Sequence, residues 1–362
     1  MVLIAVAMFA VIVGAHTDPQ NVTGRVDTSH LPVLRAAPAL DPDGWINSAP
    51  ITAAQLRGKV VLYDFWTYSC INCQRTFPYI RSWYDRYRSA GLVVVGIHSP
   101  EFDFEHVRGN VVDAVKRYDV TWPVAIDNEM HIWNAFGNQY WPADYVADRE
   151  GNIRYTHFGE GDYDNTENVL RKLLGVPTAS PRAASVTHGE TASPEHNPET
   201  YLGAQYQSLG QPLIAVRPGT YDYPTPEPGS IAPPRFGADG TPLIENGKLT
   251  GALVGKWTVD DEKATSDASV ATILLAVHAK EVNLVMATAD GHAHDVVVQL
   301  DGQPVPVAER GASVHVDHNG QTRVTVHAPD MYRLFASPTT ENHLISVSTT
   351  GPGLEAYDFT FG

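Results

Sequence analysis

The sequence predicts two folded units in series, an α/β layer with a mixed sheet followed by an all-β sandwich, and three observations carry that reading. Apolar runs at residues 60–66 and 92–97 alternate with segments of helical period, as buried parallel strands and their covering helices do. From residue 272 onward short runs alternate apolar with polar side chains, and Asp301-Gly302 and Asn319-Gly320 carry the chemistry of tight hairpins. Between these regions the chain is small, polar and spotted with proline, without either period, and reads as a linker over residues 176–198. A chain of 362 residues, 43% of them apolar, has room for about two cores at roughly 150 residues per domain.

Residues 1–15 are an apolar segment, and the first basic residue is Arg25. The apolar stretch falls short of the roughly 20 residues of a spanning helix and lacks the positive charge that precedes a secretory signal core. It is expected to be the end of a membrane helix or a signal-like segment, either of which places the remainder outside the cytoplasm. Residues 16–39 form a polar lead-in, with a glycan-acceptor triplet at Asn21.

The first unit spans residues 40–175. Phe77, Ile80, Trp83, Tyr84 and Tyr87 recur on one helical face, as do Val107, Val111, Val115 and Tyr118. Residues 142–151 and 153–158 read as two strands joined through a glycine turn, and residues 165–174 as a helix ended by Gly175. The second unit, residues 199–362, has strand-like runs at 272–277, 282–287, 296–300, 344–347 and 357–361, with alternation through Val324 and Val326.

Charge excludes one class of partner. Against 25 Lys and Arg stand 41 Asp and Glu, a net charge of −16. Such a field repels phosphate backbones and argues against nucleic acid. The chain has only two cysteines, Cys70 and Cys73, at the end of the first apolar run. Two thiols at that spacing, with no others, suit electron transfer better than stapling. The alternative is a structural bridge or half a zinc site. Zinc needs two more ligands, and no second CxxC or paired-histidine spacing lies nearby, so no metal or other cofactor is expected beyond the dithiol itself.

The block from Asp64 to Cys73, Pro78 inside the following helix, and Trp141-Pro142 before a strand expected at a sheet edge resemble the thioredoxin fold. The lead-in at residues 56–63 and the run at 146–153 are similar to extracytoplasmic TlpA-like thiol proteins. Trp66-Thr67-Tyr68-Ser69-Cys70-Ile71-Asn72-Cys73, the Gly96–Phe102 run and the terminal residues 356–362 resemble the soluble C-terminal part of DipZ-type membrane thiol–disulfide proteins, over about residues 40–362.

That resemblance implies roles. Cys70, where a strand meets a helix start, is expected as the attacking thiolate, its pKa lowered by unpaired N–H groups and the helix dipole. Cys73, one turn on and deeper, is the resolving sulfur. Asp64, desolvated in the strand, passes a proton to or from Cys73, unless it is merely satisfied by a local hydrogen bond. Pro142 is expected to be cis, offering the Trp141 backbone to an extended substrate. Trp66, Tyr68 and Trp141 frame an apolar docking rim or are plain core. Ile71-Asn72 stands where thioredoxins carry Gly-Pro.

The second unit resembles jelly-roll carbohydrate-binding modules, so Trp257, Tyr332 and Tyr357 are candidates for stacking on sugars, with core packing the alternative. The function implied is an extracytoplasmic thiol–disulfide oxidoreductase. It would reduce disulfide-containing envelope proteins with electrons from a CcdA- or DsbD-like transmembrane donor. Two other readings stay open. Thr67 stands three residues before Cys70 as in peroxiredoxins, although Tyr63 occupies the position of their proline. A non-enzymatic envelope protein that binds glycan is the other.

Overall fold

The computed structural model describes residues 27, 28, 30–177, 197–208, 213–237, 242–245 and 247–362. The apolar segment 1–15, most of the polar lead-in and nearly all of the linker lie outside the described residues. No helix among the described residues is long and apolar enough to cross a membrane.

The α/β unit runs β1 (Arg35–Ala36), β2 (Gly44–Ile46), α1 (Ala53–Leu56), β3 (Val60–Trp66), α2 (Ile71–Tyr87), β4 (Leu92–His98), α3 (Arg108–Arg117), β5 (Val124–Ile126), α4 (His131–Phe136), β6 (Ala143–Ala147), β7 (Asn152–Phe158) and α5 (Tyr163–Leu174). Its seven strands are ordered β1-β7-β6-β3-β4-β5-β2, with β3, β4 and β5 parallel and the others antiparallel to their neighbours. All seven residues of β3 are buried, because this central strand is covered on both faces. Val60, Leu62 and Trp66 face a core shared with α2, α3 and α5, and Val61, Tyr63 and Phe65 face one shared with α4. Asp64 belongs by alternation to the α2 side.

The sequence reading needs three corrections here. The strand after Pro142 is no edge: β6 is paired by β3 on one side and β7 on the other. Val107 lies outside the helical stripe, 53% exposed at the residue preceding α3, and the buried positions are Val111, Ala114 and Val115. Strand β5 and helix α4, three and six residues long, are too short for periodicity to reveal.

The second unit is all-β: β8 (Thr200–Tyr201), β9 (Gly219–Tyr223), β10 (Arg235–Phe236), β11 (Pro242–Leu243), β12 (Gly251–Val259), β13 (Ala264–Ser266), β14 (Thr272–Thr288), β15 (His294–Leu300), β16 (Gln303–Pro304), β17 (His315–Val316), β18 (Thr322–Val326), β19 (Asp330–Thr349) and β20 (Leu354–Phe361). What alternation divides into two strands at 272–277 and 282–287 is one strand. A bulge between Ala279 and Glu281 carries β14 past the charged Lys280-Glu281 pair, so that its first half pairs with β12 and its second with β20. The same holds for the run at 344–347, which belongs to the 20-residue β19. The pairings β14–β12, β12–β13, β13–β20 and β20–β14 return to their starting strand, so the layers share backbone as well as core. Asp301 and Gly302 make the expected hairpin, at φ 52° and 74°.

Gly96 in β4 leaves no room for a side chain in the first core. A Cβ there would come within 2.9 Å of Trp66 Nε1 and 3.1 Å of Trp122 Nε1, both indoles being fully buried. Gly96→Ala is therefore expected to destabilise the protein by about 1–3 kcal/mol. Urea unfolding measures it, and an unchanged midpoint would refute this account of the packing.

Candidate active site at the Cys70–Cys73 disulfide

Strand β3 ends at Trp66, three residues turn, and α2 begins at Ile71 with Cys70 as its N-cap. The Cys70 Sγ accepts the Cys73 backbone N–H at 3.1 Å, taking the place a serine or aspartate oxygen fills at other helix starts. The two cysteines form a disulfide with Cα atoms 5.3 Å apart. Cys70 retains 7% exposure and Cys73 none. A thiolate at Cys70 would sit on the N–H groups and positive dipole end of a 17-residue helix, which favours the ionised sulfur.

The loop that presents Cys70 is held by a carboxylate that sequence reasoning missed. Glu105 is fully buried and accepts from Ser69 Oγ at 2.7 Å, Ser69 N at 3.3 Å, Glu101 N at 2.7 Å and Phe102 N at 3.2 Å. It thus ties the residue before Cys70 to the loop after β4. Burial raises its pKa while these bonds, and one from Thr67, draw it back. In the sequence Glu105 stands among Asp103, Glu101 and His106 and looks like solvated surface. Across the disulfide, the Trp141–Pro142 peptide is cis, and Trp141 Nε1 donates to Ser99 O at 3.1 Å.

Asp64 lies fully buried, and neither of its oxygens has a hydrogen-bond partner among the described residues. No local hydrogen bond satisfies it. Its cross-strand neighbour in β6 is Asp144, whose own neighbour in β7 is His157, so three titratable side chains stand in one row on the α2 side of the sheet. Asp144 Oδ1 and His157 Nε2 are likewise buried without a partner. Burial, and then the charge of Asp144, hold the Asp64 carboxyl well above the usual range, and burial lifts Asp144 to about 7. Two carboxyls so placed can keep a proton between them near neutral pH. Only the pairing of β6 with β3 brings Asp144 there; 80 residues separate the two in sequence.

The β unit covers this end of the α/β unit. Tyr357 packs edge-on against Phe102 and Phe104, ring centroids 5.2 and 4.9 Å apart. Arg75 pairs with Glu160 at 3.3 Å and with Glu281 of β14 at 2.7 Å, and Arg117 pairs with Asp330. A cleft of about 420 Å³ remains beside Cys70, bounded by Trp141 and Tyr140 on one side and Tyr201, Tyr206 and Asp358 on the other.

This arrangement puts most of the candidate aromatic side chains in the core rather than on a binding surface. Trp66 is fully buried, edge-on to Phe77 at 5.1 Å, and Tyr68 is 1% exposed with its hydroxyl 3.5 Å from Pro329 O of the β unit. Neither belongs to a docking rim; Trp141 alone of the three lines the cleft. Trp257, Tyr332 and Tyr357 are 0%, 5% and 2% exposed and offer no ring face to a sugar. Trp257 Nε1 donates to Val254 O at 3.0 Å, and Tyr332 fills the second core. Thr67 is buried, its hydroxyl 3.5 Å from His98 Nε2.

Sequence comparisons agree with this geometry. The Redoxin family profile matches residues 11–174, and the profile described as "Thioredoxin like C-terminal domain" matches residues 244–362. Thiol-disulfide oxidoreductase YkuV of Bacillus subtilis is 30% identical over 131 residues, 36% of this chain and 87% of its own length. The chain belongs to the thioredoxin-like thiol–disulfide oxidoreductases. Protein DipZ of Mycobacterium bovis is 35% identical over 330 residues, 88% of this chain. The chain spans 41% of that DipZ's length. Among solved structures, a thioredoxin-like protein in its oxidised form aligns at 29% identity and TM-score 0.36, covering 39% of this chain and 95% of the other. The similarity to DipZ runs through both the α/β domain and the β domain of this thioredoxin-like oxidoreductase.

Two outcomes follow from the buried acids. Asp64 is neutral in the folded chain over a range where it is ionised when unfolded, so unfolding releases a proton and stability falls as pH rises. Asp64→Asn should unfold like the parent near pH 4 and become progressively more stable than it toward neutrality, as thermal unfolding across pH would show. Asp144→Asn removes a charge that raises Asp64, so the pH inflection of disulfide exchange should move to lower pH. An unmoved inflection would separate Asp144 from the reaction.

Proposed function

We propose that the chain reduces disulfides of proteins in the cell envelope, on the extracytoplasmic side of a membrane from which it draws electrons. The observation that carries the proposal is the asymmetry of the two sulfurs: Cys70 caps a helix and reaches the cleft, while Cys73 is buried behind it. DipZ-type similarity over 88% of the chain supports the setting.

In this reading the Cys70 thiolate attacks one sulfur of a client disulfide, forming a mixed disulfide and releasing the other sulfur as a thiolate. Cys73 gives its proton to Asp64 in the fraction of molecules where that carboxyl is ionised, a fraction that grows as pH rises, and attacks Cys70 Sγ, which expels the second client thiolate. Two electrons have then passed to the client, and the chain is left with the Cys70–Cys73 disulfide. A CcdA- or DsbD-like dithiol in the membrane restores it, and no bound cofactor is required. Pro142 and the Trp141 backbone hold the client strand against Cys70.

Cys73→Ser should accumulate client proteins as mixed disulfides on Cys70, seen as dithiothreitol-sensitive adducts on non-reducing gels and absent from Cys70→Ser. Equilibration with glutathione should give a reduction potential below about −180 mV. A more oxidising value would reverse the assigned direction.

A further inference from the structure

Among the described residues, the cleft beside Cys70 is lined by three carboxyl side chains and by no lysine, arginine or histidine. Glu101 comes from the loop after β4, Glu199 from the residue before β8, and Asp358 from β20, so both units build it. Tyr201 joins two of them: its hydroxyl is 2.7 Å from Glu101 Oε1 and 3.2 Å from Glu199 Oε2. One phenolic hydrogen serves one acceptor at a time, which leaves the second carboxylate without that donor whenever both acids are ionised. Asp358 is 2% exposed, lines the cleft, and its Oδ1 has no hydrogen-bond partner among the described residues.

A buried carboxylate lacking a partner is costly, and it is stabilised by a proton or by a cation. Burial, followed by the charge of Glu199, raises Glu101 and Asp358 well above the usual range, and no basic side chain among the described lining residues offsets either. A cationic group carried in beside the substrate sulfur would complement this surround.

We propose that Glu101, Glu199 and Asp358 select client disulfides in which a lysine or arginine lies next to the reacting cysteine. The client's ammonium or guanidinium group occupies the acidic side of the cleft while its sulfur meets Cys70. The selection rests on the thiol–disulfide reading above and names its substrate class. The cation changes no bond: Cys70 and Cys73 still supply both electrons, and the client still leaves as two thiols. The acids act on binding, through charge-assisted hydrogen bonds that a neutral neighbour cannot make. The net charge of −16 draws the same clients toward the protein.

The test is single-turnover reduction by the full chain, pre-reduced, of peptide disulfides identical except for arginine, glutamine or glutamate after the cysteine. The arginine peptide should react with a second-order rate constant about tenfold above that of the glutamine peptide, the value of one charge-assisted hydrogen bond. The glutamate peptide should be slowest. Raising the salt concentration should narrow the spread. In Glu101→Gln/Glu199→Gln the arginine-to-glutamine ratio should fall to within about twofold, and Asp358→Asn, tested separately, should lower it as well should the double variant not fold. Equal rates for the three peptides, or a ratio that survives in every variant, overturn the selection and leave the redox reading standing. Failure of all three peptides to be reduced overturns the redox reading itself.

Discussion

A sulfur atom serving as a helix cap is the contact on which the rest of the site depends. Because Cys70 Sγ takes the Cys73 N–H, the start of α2 and the position of the reactive atom are one geometric fact. Every element that places that helix end therefore also places the chemistry. β3 delivers the chain to the turn, buried on both faces so that it cannot slide. Glu105 clamps the turn from the side through Ser69, and the cis-proline loop closes the opposite wall. The cap also explains the different fates of two identical thiols. The first residue of a cap stands outside the helix, where a partner can approach, and the residue three later points into the packed interior.

A second constraint is the scarcity of solvent around that sulfur. The β unit covers the aromatic surface about Cys70, adding Tyr357 to the first core and taking Tyr68 under its edge. Tyr68 is interior, packed on His98 and Phe104, with its hydroxyl reaching Pro329 O of the β unit. The same cover turns a surface nucleophile into one at the bottom of a cleft, with walls from two parts of the chain. Access thereby becomes selective, and charge on those walls has more leverage than it would in open water.

The acids divide by what surrounds them. Glu105 is surrounded by donors from Ser69, Glu101 and Phe102 and serves architecture. Asp64 and Asp144 are cross-strand neighbours without hydrogen-bond donors, so burial holds both carboxyls above the usual range. Glu101, Glu199 and Asp358 line open space next to Cys70 and belong to recognition. One residue type thus does three jobs, set by hydrogen-bond supply and burial.

Sequence by itself determined what is local or repetitive. The buried strand before Cys70, the helix behind it and the hairpin at Asp301-Gly302 follow from period and turn chemistry, and the Cys70–Cys73 pair with Asp64 was legible because no other thiol competes with it. Tertiary structure decided what depends on distant partners. Asp144 reaches Asp64 only through strand pairing, Glu105 reaches Ser69 across 36 residues, and Glu199 and Asp358 reach Cys70 only because a second unit is laid over the first. The aromatic side chains illustrate the difference most directly. Trp257, Tyr332 and Tyr68 have the composition of a binding surface, yet whether a ring is interior or exposed is a property of what packs on it, and no stretch of local sequence carries that information.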